Sequence, residues 1–261
     1  MEYTTIAAVD LGSNSFRLQV ARVVDDQVYP LDTLKEPVRL GAGLTADRYL
    51  TEEAQTRALA CLKRFGERLR GLPREAVRAV GTNTLRVAKN ASAFLERAEA
   101  ALGVPIEIIA GREEARLIYV GVSNSLPDTT GRKLVVDIGG GSTEFIVGEG
   151  EKPSKMESLH MGCVSFSLRF FPEGKLTKTA LKQAEMAARQ ELQYIISGFN
   201  AAHWQTAIGS SGTARSLQDI HVANRWTEAG ISREGLEQLR TLLLRSGDLA
   251  SLELAGLRPD R

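Results

Sequence analysis

The sequence predicts an α/β protein of two related halves, each a mixed sheet flanked by helices. Three observations carry this. Near the N-terminus a short apolar run, residues 6–9, ends in Asp10 and a turn of Leu11, Gly12, Ser13 and Asn14. The same order (strand, Asp, Gly turn, strand, strand, helices) begins again at residues 134–136 and Asp137. The 261 residues are 43% hydrophobic and 25% charged, enough apolar material for one large or two modest cores.

Residues 6–9 read as a buried strand. The next run alternates, with Phe16, Leu18 and Val20 on one face, and reads as a second strand paired with the first through the Gly-Ser-Asn turn. Residues 28–34 make a third. Three such strands are an antiparallel start, unlike the strand–helix–strand start of a dinucleotide-binding fold. Thr51 before Glu52 and Glu53 suits a helix N-terminus, with a capping hydroxyl and acids in the first turn. Leu59, Leu62, Phe65 and Leu69 then recur at helical spacing. A strand at 77–80, a helix at 92–102, a strand at 106–109 and a helix at 113–122, with Leu117 and Ile118 inward, complete the half.

Residues 123–132 are polar, carry Pro127 and Gly131 and lack periodicity. The boundary is placed there, between a first domain over 1–124 and a second over 132–261. The second half reads as strands at 134–136, 143–147 and 156–160, then helices at 164–171 and 177–199. A short strand at 207–208 follows, then a helix opened by Gly209, Ser210, Ser211 and Gly212. Residues 232–261 read as helical. Two related halves imply a cleft between them, a favoured place for a ligand.

Net charge is +1, so bulk charge calls for no nucleic acid and no membrane. The two cysteines, Cys61 and Cys163, and the three histidines form no metal-ligand spacing, so zinc is not expected. Two distant cysteines fit a reducing compartment better than a disulfide framework. No basic segment leads into a long apolar stretch at the N-terminus, and no window of about 18 residues is apolar. A cytoplasmic location is expected.

The strongest chemical signal runs from Asp137 through Gly139, Gly140 and Gly141 to Ser142 and Thr143. Three successive glycines let backbone N–H groups approach an anion with no Cβ in the way, and the hydroxyls add donors. Asp137 ends a strand, where a carboxylate can orient a metal ion or a water. A tight hairpin needs fewer glycines. The turn after Asp10 matches it, although alone an Asp-x-Gly turn is an ordinary hairpin. As a pair, the two turns can grip a phosphate chain from both sides, with Asp10 and Asp137 sharing a divalent cation, magnesium for a site of oxygens and phosphate.

Other signals have bland alternatives that stay open. Glu113 and Glu114 open a helix, where acids complement the dipole. Arg86, with Thr82 and Thr84, suits forked contact with phosphate, or is a surface Arg opening a helix. Gly209 to Gly212 is an anion site at a helix N-terminus or a plain capped turn. Between Arg57 and Arg97 ten Lys/Arg face three acids. That is a solvated helix face or a track for a long polyanion. It has little aromatic interleaving for base stacking.

Together, residues 10–15, Gly81 to Arg86, 111–118, 137–144 and 209–214 occur in the order seen in the exopolyphosphatase / guanosine pentaphosphate phosphohydrolase family. The chain resembles that family over nearly its whole length. The resemblance implies the actin-like ATPase architecture, two ribonuclease H-like domains with an interdomain cleft. It implies Glu114 as the base that activates water, with Asp137 and Glu144 organising water and metal and Asp10 as the acid of the opposite turn. Ser13, Asn14 and Gly139 to Thr143 become the phosphate cradle, Ser211 and Gly212 further substrate contacts, and Arg86 the group that neutralises the terminal phosphate. The cofactor is Mg2+ or another divalent cation.

The reaction implied is release of orthophosphate from the end of inorganic polyphosphate. Hydrolysis of guanosine pentaphosphate is the alternative, and a polyphosphate- or nucleotide-binding module without turnover is a third reading. A homodimer is compatible with all three. Family members continue past residues 256–261, so the second domain is expected to lack a further Gly-rich strand and a closing helix.

Overall fold

The computed structural model describes residues 4–25, 27–126 and 130–258. The chain divides into two compact units, Met1–Glu114 and Ala115–Arg261. The division falls inside a helix, ahead of the polar segment that marks the boundary in the sequence. Residues 127–129 of that segment and 259–261 at the C-terminus lie outside the described residues.

The first unit contains β1 (Thr5–Leu11), β2 (Phe16–Val24), β3 (Gln27–Glu36), α1 (Glu52–Leu69), β4 (Val77–Gly81), α2 (Asn83–Val87), α3 (Ala91–Leu102) and β5 (Glu107–Ile108). The helix α4 (Gly111–Ser125) begins in it. The sheet order is β3-β2-β1-β4-β5, with β1 antiparallel to β2 and parallel to β4. Alternation sets the faces: Ala7, Val9 and Leu11 are buried, whereas Ala8 and Asp10 are exposed. α1 starts where Thr51 Oγ1 accepts from Ala54 N at 3.3 Å, a cap worth about 1 kcal/mol. Its Ala54, Ala58, Cys61, Leu62, Phe65 and Leu69 recur at three- and four-residue steps and enter the main core with Val9, Leu11, Phe16 and Leu18.

The second unit contains β6 (Arg132–Ile138), β7 (Thr143–Glu149), β8 (Lys152–Leu159), α5 (Cys163–Phe170), α6 (Lys178–Gln193), α7 (Ile196–Phe199), β9 (Thr206–Ser210), α8 (Ser211–Ala223) and α9 (Arg233–Ser246). Its sheet order is β8-β7-β6-β9, with β6 antiparallel to β7 and parallel to β9. This repeats the first four positions of the other sheet. In register, Met156, Ile146, Val135 and Ile208 form one row across the four strands. They pack with Ala115 and Tyr119 of α4 in a small core.

Three sequence expectations change. Leu117 is 41% exposed, because Ala115 and Tyr119, four residues apart, set the inward face of α4. The helix expected over 177–199 breaks after Gln193, where Ile195 turns inward and the following Ile-Ser-Gly run is a weak helix former. The last described residues are not continuously helical: Gly247, at φ 69°, ends α9 in the left-handed conformation, and among the described residues only a short 3-10 turn, Leu249–Ser251, follows.

Candidate active site

In the first unit three expected segments meet. The β1–β2 turn is held to the start of α2 by Thr84 Oγ1, which donates to Ser13 Oγ at 2.7 Å. Ser13 and Thr84 are both buried. Asn14 O accepts from Arg39 N at 2.7 Å and Ser13 O from Gly41 N at 2.8 Å, so a second loop braces the turn. The Asp10 carboxylate folds back over Gly12, where a Cβ would stand 3.8 Å from its Oδ2.

Arg86 projects from α2 to the N-terminal turn of α4. Its Nη1 donates to Ile109 O at 2.9 Å and to Glu114 Oε2 at 2.8 Å. Both side chains of this ion pair are mostly buried. The guanidinium edge made by Nε and Nη2 has no protein partner among the described residues. It is the edge suited to two parallel bonds with phosphate oxygens. Asn83 Oδ1, in the same turn, is buried without a hydrogen-bond partner among the described residues. The motif spacing did not single it out.

In the second unit the register places four polar residues in one row: Ser158 on β8, Glu144 on β7, Asp137 on β6 and Ser210 on β9. The row lies two residues along each strand from the apolar row of the core, on the same face of the sheet. Glu144 is only 1% exposed, and Ser158 Oγ donates to its Oε1 at 2.8 Å. Burial pushes the Asp137 carboxyl above the usual carboxylate range, and the Ser210 side chain partly offsets that. Two carboxylates directly opposite on neighbouring strands repel unless a proton or cation lies with them.

The glycine turn sits at the end of this row. Gly139 N donates to Ser142 O at 2.9 Å and closes the hairpin. Gly139 O accepts from Cys163 N, and Gly140 O accepts from Val164 N and Ser165 N, at 2.9, 2.9 and 3.1 Å. In a trans peptide the C=O and N–H point in opposite directions. With both carbonyls turned to the first turn of α5, the N–H groups of Gly140 and Gly141 point away from it, as an anion cradle requires. Gly162 makes this approach feasible: a Cβ there would lie 2.4 Å from Gly140 C and O and from Gly141 N.

Ser142 and Thr143 are buried, and Thr143 Oγ1 donates to Met161 O, so Thr143 braces the turn. Ser211 heads α8 at φ 73°, and its Oγ donates to Ile138 O at 2.8 Å. The first turn of α8, with Gly212, is thereby tied to the end of β6.

The two Asp turns differ in surroundings. Asp10 is exposed and faces Arg17 across β2, whereas Asp137 is half-buried and faces Glu144 across β7. Ser158, the pairing of Ser210 with Asp137 and the role of Gly162 are not legible in the sequence, because they depend on pairing between strands and turns distant in the chain. Of the ten basic residues between Arg57 and Arg97, five pair with acids: Arg57 with Glu53, Arg64 with Glu36, Arg68 with Asp32, Arg86 with Glu114 and Arg97 with Glu52. Among the described residues no group of three or more His, Cys, Asp or Glu could hold a metal ion, and no helix is long and apolar enough to cross a membrane.

The sequence profile of the Ppx/GppA phosphatase family matches residues 19–261. The chain belongs to that family. An exopolyphosphatase from Cytophaga hutchinsonii is 28% identical, with a TM-score of 0.83 over 93% of this chain and 80% of that one. A Ppx/GppA family member from Aquifex aeolicus is 30% identical, with a TM-score of 0.67 over 85% of this chain and 70% of that one. The paired sheets and these likenesses make the architecture that of the actin-like ATPases, in two domains. Ppx/GppA membership sets the kind of chemistry: the chain is a hydrolase of the phosphatase kind.

Proposed function

We propose that this Ppx/GppA phosphatase is an exopolyphosphatase that cleaves the terminal phosphoanhydride bond of inorganic polyphosphate. The observation that carries the proposal is the Arg86–Glu114 pair. A carboxylate is held at 2.8 Å by one guanidinium nitrogen, while the Nε/Nη2 edge of the same Arg has no hydrogen-bond acceptor among the described residues. Such a unit can bind a terminal phosphoryl group and hold a base beside it. The likeness to the Cytophaga exopolyphosphatase supports polyphosphate as the chain attacked.

In the proposed reaction Glu114 accepts a proton from water as the water oxygen bonds to the terminal phosphorus. The bridging P–O bond breaks, releasing orthophosphate and a polyphosphate shorter by one unit. Phosphoryl transfer asks mainly for positioning and neutralisation of charge. Arg86 supplies charge at the terminal phosphate. The Gly140 and Gly141 N–H groups supply donors to phosphate oxygens, with Ser13, Asn14, Ser211 and Gly212 shaping the walls of their own turns.

The residues present fit a magnesium ion. Asp137 and Glu144 are adjacent oxygen donors, and magnesium is commonly held by one or two carboxylates, with water and substrate phosphate completing the shell. When bound it would offset the charge of the phosphate chain. Asp10 is the less suited ligand of the two strand-end acids, because Arg17 stands opposite it. A cytoplasmic location suits this substrate.

Guanosine pentaphosphate remains the second substrate to test, since the same groups would serve its terminal phosphate. The deciding experiment compares orthophosphate release from long-chain polyphosphate and from guanosine pentaphosphate in magnesium. Faster release per enzyme from polyphosphate is expected. Release from guanosine pentaphosphate alone would transfer the assignment to that nucleotide, and tight polyphosphate binding without release would make the chain a binding module.

A further inference from the structure

The four-residue row on the second sheet contains two hydroxyls that no catalytic step uses. They flank the two carboxylates on the outer strands, Ser158 beside Glu144 and Ser210 beside Asp137. The pattern is hydroxyl, carboxylate, carboxylate, hydroxyl in strict register across β8, β7, β6 and β9. A carboxylate as buried as Glu144 is costly unless its oxygens are bonded. Its terminal torsion has broad wells, and each bonded oxygen narrows the range of orientations the carboxylate plane can take. Ser158 Oγ, at 2.8 Å, fixes one oxygen of Glu144 from the side away from Asp137.

We propose that Ser158 is a positioning residue for the cation site, with Ser210 as its counterpart on the opposite edge of the row. Ser158 touches neither substrate nor metal. It holds Glu144 Oε1 so that the carboxylate presents one orientation to a divalent cation shared with Asp137. Partners of this kind, bonded to a metal ligand, typically change metal affinity or activity ten- to a hundredfold when removed. The inference rests on the assignment of Asp137 and Glu144 as cation ligands.

The test uses the whole chain and three variants, Ser158→Ala, Ser158→Thr and Ser210→Ala. Manganese serves as a paramagnetic probe, and its binding is followed by electron paramagnetic resonance without substrate. Magnesium dependence of orthophosphate release is measured in parallel. Ser158→Ala should weaken manganese binding about tenfold and raise the magnesium concentration for half-maximal rate by a similar factor, with KM for polyphosphate at saturating magnesium little changed. Ser158→Thr, which keeps the hydroxyl, should restore both. Ser210→Ala should weaken manganese binding in the same direction.

Unchanged manganese affinity in Ser158→Ala, with only a lower Tm, would overturn the proposal and leave Ser158 a packing residue. An equal loss in Ser158→Thr would also overturn it. If the wild-type chain binds manganese but releases no orthophosphate from any phosphoanhydride, the proposed function fails while the comparison of affinities still decides the role of Ser158.

Discussion

Gly162→Ala tests the way the glycine turn is built. Gly162 sits at φ −128° and ψ 160°, a conformation any residue adopts, so the substitution adds no backbone strain. Its effect is purely steric. The new Cβ would lie 2.4 Å from three backbone atoms of the Gly140–Gly141 peptide, and an ordinary contact begins near 3.4 Å. The turn and α5 must therefore separate by about 1 Å. That stretches the three bonds from the start of α5, now 2.9, 2.9 and 3.1 Å, to about 4 Å. Each net bond is worth about 0.5–1.5 kcal/mol, so the loss is about 2–4 kcal/mol. For a unit of this size that lowers Tm by about 5–15 °C. Because the same peptides aim the Gly140 and Gly141 N–H groups, a shift of about 1 Å should also cost about a hundredfold in phosphate release. Thermal unfolding and orthophosphate release measure both. Gly121→Ala is the control: it lies on α4 with nothing within 4 Å of a new Cβ, and should gain about 1 kcal/mol by helix propensity. Full activity and an unchanged Tm in Gly162→Ala would refute the idea that α5 sets the cradle.

Asp137→Asn should trade activity for stability. Burial raises the folded-state pKa above the ordinary 3.8, so the folded protein holds this proton to higher pH than the unfolded chain. Its contribution is therefore most favourable below 3.8 and is lost as pH rises through the folded value, which leaves the ionised group a cost at neutral pH. The variant should melt higher than wild type at pH 7, about 2–4 °C for each kcal/mol recovered, with the advantage shrinking toward pH 3, and should release no phosphate. A lower Tm at pH 7 would contradict this. The two cysteines should differ toward a thiol reagent at pH 8. Burial and the nearby Glu36 push the Cys61 thiol up to about 12, so it should react only after unfolding, whereas the half-buried Cys163 should react in the native protein. Two equivalents modified at once in native protein would be the opposite result.

The strands and helices that carry the site were legible because their signals are local. Alternation at Phe16, Leu18 and Val20 and the cap at Thr51 fix elements within a few residues of themselves. Asp10 and Asp137 were legible as strand-end acids for the same reason. What stayed hidden depends on distance along the chain. Ser158 and Ser210 meet the carboxylates only through pairing of β8 and β9 with strands elsewhere in the sequence, and a single-residue slip would place them on the other face. Arg86 reads as a phosphate-binding group and the family resemblance implies Glu114 as a base, but their direct bond joins residues 28 apart. The polyanion track is suggested by a count of cations alone. The acids that pair with half of them come largely from β3 and the first turns of α1 and α4, where a count over one window does not look.

The central claim is that Glu114 is the base of a phosphoanhydride hydrolase. The most direct measurement is orthophosphate release from long-chain polyphosphate by wild type and by Glu114→Gln, with polyphosphate binding and Tm recorded on the same samples. Glutamine keeps the size and an acceptor for Arg86 but cannot take the proton. Release should fall by about two to four orders of magnitude while binding and folding persist. Release at the wild-type rate by folded Glu114→Gln, under the same magnesium, would contradict the assignment.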